Sequence, residues 1–192
     1  MDDDVLYFDD FTDPTSGWET GAEDGLTREY TSRGYRLHVP EADRWLEVCA
    51  GLEVDDFSVE VEIVRGAGPE DGAFGVVARA SEAGAYAFQL DGEGYYGIYK
   101  DTYGDSEDED IFVTLAEGHA PGLLNTALEA ENHVRAVCRG PHLSLYLNGQ
   151  LTLEAEDADY PSGDVGLLAA AGESGRGGLE VFFNRFVVRQ VN

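Results

Sequence analysis

The chain has 192 residues, with 39 aspartates and glutamates against 12 lysines and arginines, a net charge of −27. So acidic a surface repels phosphate backbones and anionic headgroups, which excludes nucleic acid and acidic membrane as partners and favours cations. No apolar run approaches the ~18 residues of a membrane span, and no basic-then-apolar leader follows Met1, whose neighbours are Asp2, Asp3 and Asp4. With 43% hydrophobic residues the chain can bury a full core, and 24 glycines beside six prolines read as turns. No linker interrupts it, so residues 1–192 are expected to form a single domain. Lys100 is the only lysine. An acid-rich, lysine-poor surface predicts self-repulsion that salt relieves, although a codon preference for arginine accounts for the missing lysines equally well.

In chain order, Val5–Phe8 reads as a short strand, followed by a carboxylate-rich loop from Asp9 to Trp18. Leu26–Ser32 and Tyr35–Val39 alternate around Arg33-Gly34 as a hairpin, and Trp45–Ala50 is a further strand. Phe57, Val59, Val61 and Ile63 share one face of the next strand, with Ser58, Glu60 and Glu62 on the other, the pattern of a half-buried antiparallel strand. A meander follows through Ala73–Ala80, Tyr86–Leu90 and Tyr95–Lys100, joined by short turns. Asp101–Asp110 is an acidic loop, Ile111–Leu115 another strand, and Gly122–Glu131 a connection with one helical turn.

The segment His133–Ala155 is the clearest architectural signal. Two strands, His133–Cys138 and His142–Leu147, flank Gly140-Pro141, and Asn148-Gly149 then leads into Leu151–Ala155. Both residues of Asn-Gly tolerate the positive φ of a type I′ turn. Leu143, Leu145 and Leu147 fall on one face, the core side, with His142, Ser144 and Tyr146 opposite. Asp164–Ala170 and Leu179–Val191 complete the set. So many short strands with almost no helix define an all-β fold of two stacked sheets or a barrel.

Six stretches, FDDFTDPTSGW, FSVEVEIVRGAGPEDGAFGVVARA, YAFQLDGEGYYGIYK, NHVRAVCRGPHLSLYLNGQ, SGDVGLLAA and LEVFFNRFVV, carry a resemblance that covers nearly the whole chain. In their order the sequence resembles the concanavalin A-like lectin/glucanase superfamily, in particular laminin-G-like extracellular domains and the 3-keto-disaccharide hydrolase relatives. The resemblance implies a two-sheet antiparallel jelly-roll sandwich with a concave and a convex face, sugars on the concave sheet or its rim, and an extracellular or cell-surface setting. It also implies a disulfide from the counterpart of Cys138 to a cysteine at the position held here by Ala78. Cys49 is the remaining candidate partner, and two buried thiols are the alternative.

Three constellations bear on function. Glucanases of this fold carry carboxylates in an E-x-D-x-x-E pattern, which Glu60, Glu62 and Arg65 match only in the first two places. Catalysis at Glu60 and Glu62 is therefore set against an ordinary solvated strand face, and the solvated face is the expectation. No nucleophile elbow, zinc motif or phosphate loop occurs, and His38, His119, His133 and His142 lack metal-ligand spacing. Sugar rings stack on aromatics, and alternation with Ile98 on the core side exposes Tyr95 and Tyr99 around a gap at Gly97, beside Gln89 and Arg79 if these point the same way; ordinary half-buried sheet tyrosines are the alternative. Trp18 and Trp45 are expected as core or loop anchors. Folds of this kind often use Ca²⁺ to tie the N-terminal loop to the last strand, which makes Asp9, Asp10, Asp13 and Asn184 the candidate ligands; for the second set, Asp101, Asp105 and Asp108, a solvated charge run is the expectation. The expected function is a non-catalytic carbohydrate-binding or adhesion module with a glycan or cell-surface polymer as partner. A glycoside-processing enzyme and a self-associating structural subunit of a cell-surface assembly are the alternatives.

Overall fold

The computed structural model describes residues 4–41, 44–104, 111–172 and 178–191. They form fifteen strands and no helix: β1 (Val5–Asp9), β2 (Gly21–Glu23), β3 (Leu26–Thr31), β4 (Gly34–Val39), β5 (Trp45–Cys49), β6 (Phe57–Ala67), β7 (Ala73–Ser81), β8 (Gly84–Leu90), β9 (Tyr95–Thr102), β10 (Ile111–His119), β11 (Glu131–Arg139), β12 (His142–Leu147), β13 (Gln150–Glu156), β14 (Asp164–Ala170) and β15 (Leu179–Gln190). No helix long and apolar enough to cross a membrane occurs among these residues. Residues 122–131, expected to hold a helical turn, form successive tight turns instead.

The strands make two antiparallel sheets. One has the order β13-β12-β11-β6-β15-β4-β3-β2, with β1 also paired to β15; the other runs β10-β9-β8-β7-β14-β5. Period-two alternation drives the stacking, because one face of each sheet must leave water. From the nine-stranded sheet Phe57, Val59, Val61, Ile63, Leu143, Leu145 and Leu147 point inward, all fully buried. Phe74, Val76, Phe88, Ile98, Val165 and Leu167 answer them from the six-stranded sheet, in one continuous core. The Asn148-Gly149 turn takes the expected positive φ at both residues, 49° and 82°. The Asn148 side chain also accepts a bond from the His133 amide and donates to the Leu123 carbonyl, locking the hairpin to the preceding connection.

Irregularities in two strands redirect side chains. In β15 the ladder shifts between Asn184 and Val187, with Arg185 at φ 49°, so that Phe183 and Phe186 both reach the core. Beyond that bulge β15 exchanges β4 for β1 as its neighbour, which fastens the N-terminal segment. In β7 the pairing shifts after Ala78, and Arg79 sits at φ 53°. That turn of the backbone breaks the alternation and sends the Arg79 side chain inward.

Candidate functional site in the hollow of the six-stranded sheet

The outer face of the six-stranded sheet is not a solvated one. Val77, Ala85, Ala87 and Leu168 form a second, smaller apolar cluster there, with Cys49, Ala80, Tyr99 and Tyr103 packed against it. Small residues let the hollow form: a side chain at Gly75 would strike the Phe88 backbone carbonyl of the next strand. A groove of about 450 Å³ crosses this face, lined by Trp45 and Glu47 of β5, Ala87 and Gln89 of β8, Asp101 of β9, Phe112 of β10, and Leu168 and Ala170 of β14. Trp45 and Phe112 come from the two opposite edge strands, so the sheet curls to bring both to one groove. They are 46% and 54% exposed, which leaves their rings open to a ligand.

Glu47 is the chemically distinctive group. Leu46 and Val48 face the core, so alternation turns Trp45, Glu47 and Cys49 into the hollow. Tyr103, lying back across the face from the end of β9, donates its hydroxyl to Glu47 Oε2 at 3.0 Å. Burial pushes the Glu47 carboxyl up to about 7; the Tyr103 bond opposes that rise and the Asp101 charge adds to it. Glu47 thus exchanges its proton near neutrality, in a groove flanked by aromatic rings.

The sequence-predicted contact residues are distributed unevenly around this groove. Gln89 lines it. Tyr99 faces the hollow, with its ring stacked on Phe112 (centroids 4.8 Å apart) and folded over Gly97, so the expected gap at Gly97 is filled by Tyr99 itself. Tyr95 is exposed but stacks on His119 at 4.2 Å, outside the groove lining. Arg79 corrects the expectation: only 1% exposed, it donates to the backbone carbonyls of Asp55, Gly140 and Tyr160 and has no surface to offer a ligand. Trp45, expected as an anchor, is instead an open aromatic at the groove, whereas Trp18 is buried as expected. Trp45, Glu47 and Phe112 were missed as site residues, although the Trp-Leu-Glu-Val-Cys alternation already held the signal for the first two.

The other candidates lie elsewhere. Glu60 and Glu62 are on the outer face of the nine-stranded sheet, paired with Arg135 at 3.6 Å and Arg185 at 4.0 Å, and neither lines the groove. They behave as solvated strand acids. Asp9 accepts from the Phe11 amide and Ser16 hydroxyl, Asp10 from Thr12 and Asp13 from Thr15, each closing a local turn. Asn184 sits against Gly34, and the N-terminal segment is held to the last strand by the β1–β15 ladder itself. Among the described residues no three His, Cys, Asp or Glu side chains gather into a metal-binding group. Asp105 and Asp108 lie outside the described residues. Cys49 and Cys138 are both free thiols. Cys49 faces the hollow and Cys138 the core, on different sheets, and burial pushes both thiols up to about 12. A second hollow, of about 490 Å³, lies at a loop end beside Arg65. Its guanidinium is committed to the carbonyls of Gly68 and Thr126, and no aromatic ring lines the space.

No family model and no curated protein sequence matches the chain. Among solved structures it is similar to the carbohydrate-binding module CBM66 from Bacillus subtilis, with 18% identity and a TM-score of 0.71 over 91% of this chain and 96% of that one. It is also similar to a protein of unknown function with a galectin-like fold from Bacillus subtilis, at 12% identity and a TM-score of 0.70 over 97% and 96%. LamAcat from Zobellia galactanivorans matches at 8% identity and a TM-score of 0.62 over 98% of each chain. At these identities the likeness defines the fold alone: a two-sheet antiparallel jelly-roll sandwich.

Proposed function

We propose that the protein is a non-catalytic, extracellular carbohydrate-binding module whose glycan lies in the hollow of the six-stranded sheet. The observation that carries this reading is the groove itself, where open rings at Trp45 and Phe112 flank a floor of Ala87, Leu168 and Ala170, with Gln89, Glu47 and Asp101 among its lining. Flat apolar faces take the C–H surfaces of a sugar ring while a few polar groups fix its hydroxyls. The likeness to a carbohydrate-binding module over nearly the full length of both chains supports it. Probing a glycan array at low and high salt tests the reading, with binding expected for the native chain. Trp45→Ala should weaken a hit about tenfold or more while leaving the fold intact, since Trp45 contributes little to the core. An array silent at both salt concentrations, or a hit indifferent to Trp45, contradicts it.

One observation favours the second reading, a glycoside-processing enzyme: Glu47 holds its proton to near pH 7 close to the Asp101 carboxylate, as a general acid and its partner would. That reading requires turnover of the bound glycan, abolished by Glu47→Gln with binding retained. Intact ligand recovered after prolonged incubation decides for the binding module.

A further inference from the structure

The groove's charge narrows the ligand class, given the saccharide-binding reading above. Among the described residues its lining contains the carboxylates Glu47 and Asp101 and the amide of Gln89, with no lysine, arginine or histidine. Acidity alone does not distinguish it, because acids cover the molecule. Pairing and burial do. Glu60 faces Arg135, Glu62 faces Arg185, and Glu180 accepts from Arg36 at 2.9 Å. Around Glu47 the Tyr103 hydroxyl and the Asp101 carboxylate set its charge, Trp45 and Cys49 flank it along β5, and Leu168 stands opposite on β14. A carboxylate withdrawn from water beside a second negative charge is stabilised by a cation brought to it, and the aromatic faces of Trp45 and Phe112 attract the same charge.

We propose that the groove selects saccharides carrying a free amine, the ammonium resting on Glu47 within reach of the Asp101 charge and the ring stacking on Trp45 and Phe112. Uronic and sulfated sugars are disfavoured by the same two carboxylates. Binding displaces the proton that Glu47 holds near neutrality, so protonation of Glu47 competes with the ligand increasingly as the pH falls.

Isothermal titration at pH 7 with oligomers of glucosamine, N-acetylglucosamine and glucose of equal length tests this directly. The glucosamine oligomer should bind at least tenfold more tightly than the other two at both 0.15 and ~0.5 M NaCl, since a half-buried charge pair resists screening. Glu47→Gln preserves side-chain size and should erase the preference, whereas Glu156→Gln, an exposed acid on β13 paired with His142, should leave it unchanged. If all three oligomers bind alike, or the preference survives in Glu47→Gln, the amine selectivity is wrong and the glycan-binding reading stands. If none binds, the selectivity falls, and the array alone decides the broader reading.

Discussion

A buried and a half-buried side chain on the six-stranded sheet show how differently a polar group can be used. Arg79 joins three separate backbone stretches, at Asp55, Gly140 and Tyr160, and reaches the Asp56 carboxylate at 3.3 Å. Removing it leaves three carbonyls without their donor, the Tyr160 bond being the buried one. Arg79→Ala should therefore lower the unfolding free energy by about 3–5 kcal/mol in urea titration, and Arg79→Lys should recover only part of that loss because it lacks the planar fork. Glu47 works in the opposite direction. Its folded-state carboxyl titrates near 7, above the ordinary value of 4.5, so the folded chain holds a proton that the unfolded chain releases earlier. The stability linked to that proton is present in full below about pH 4.5 and is lost as the pH rises to about 7. Glu47→Gln removes the loss, and in urea titration at pH 8 it should be more stable than the native chain by on the order of 2–3 kcal/mol, while at pH 4 the two should coincide. The sequence did not disclose Arg79's place, since alternation along β7 assigns it to the outer face; only the backbone irregularity after Ala78 turns it inward.

At the level of the strand, alternation was a reliable guide to faces and a poor one to sheets. Leu143, Leu145 and Leu147 are fully buried, as their spacing from Asn148-Gly149 requires. Leu145→Ala should cost about 2–5 kcal/mol, against less than ~1 kcal/mol for Leu151→Ala, whose side chain is largely exposed across the turn; chemical denaturation of the two variants measures the difference. The elements that escaped are the ones with little pattern. β2 is a three-residue edge strand, exposed throughout, and β10 runs on to His119 through a bulge between Thr114 and Ala116. Period two also leaves open which sheet a strand joins. Glu60 and Glu62 on β6, and Glu47 on β5, alternate equally well with apolar neighbours, yet only β5 belongs to the sheet with the groove. That choice depends on long-range pairing, β6 with β11 and β15, and β5 with β14, which no local pattern contains.

Across the whole molecule, a net charge of −27 on 192 residues repels itself, and salt shortens the reach of that repulsion from ~10 Å at ~0.1 M to ~3 Å at ~1 M. The melting temperature should therefore rise steadily with NaCl over that range in a thermal scan; a flat or falling trend contradicts a surface dominated by self-repulsion. The fold places this charge around a curled sheet whose inner hollow is apolar at its floor, aromatic at its edges and acidic at one wall. A two-sheet sandwich was legible from turn chemistry and alternation, and so was the placement of Gln89 and Tyr99 on the outer face of the six-stranded sheet. The aromatic pair Trp45 and Phe112 was not, because it comes from opposite edges of the sheet and meets only through curvature. The most direct measurement is a heteronuclear NMR titration with a glycan from the array. The account predicts that the Trp45 indole N–H and the Gln89 side-chain amide shift first, with perturbations confined to the six-stranded sheet. Shifts gathered instead around Glu60 and Glu62 on the opposite sheet would contradict it.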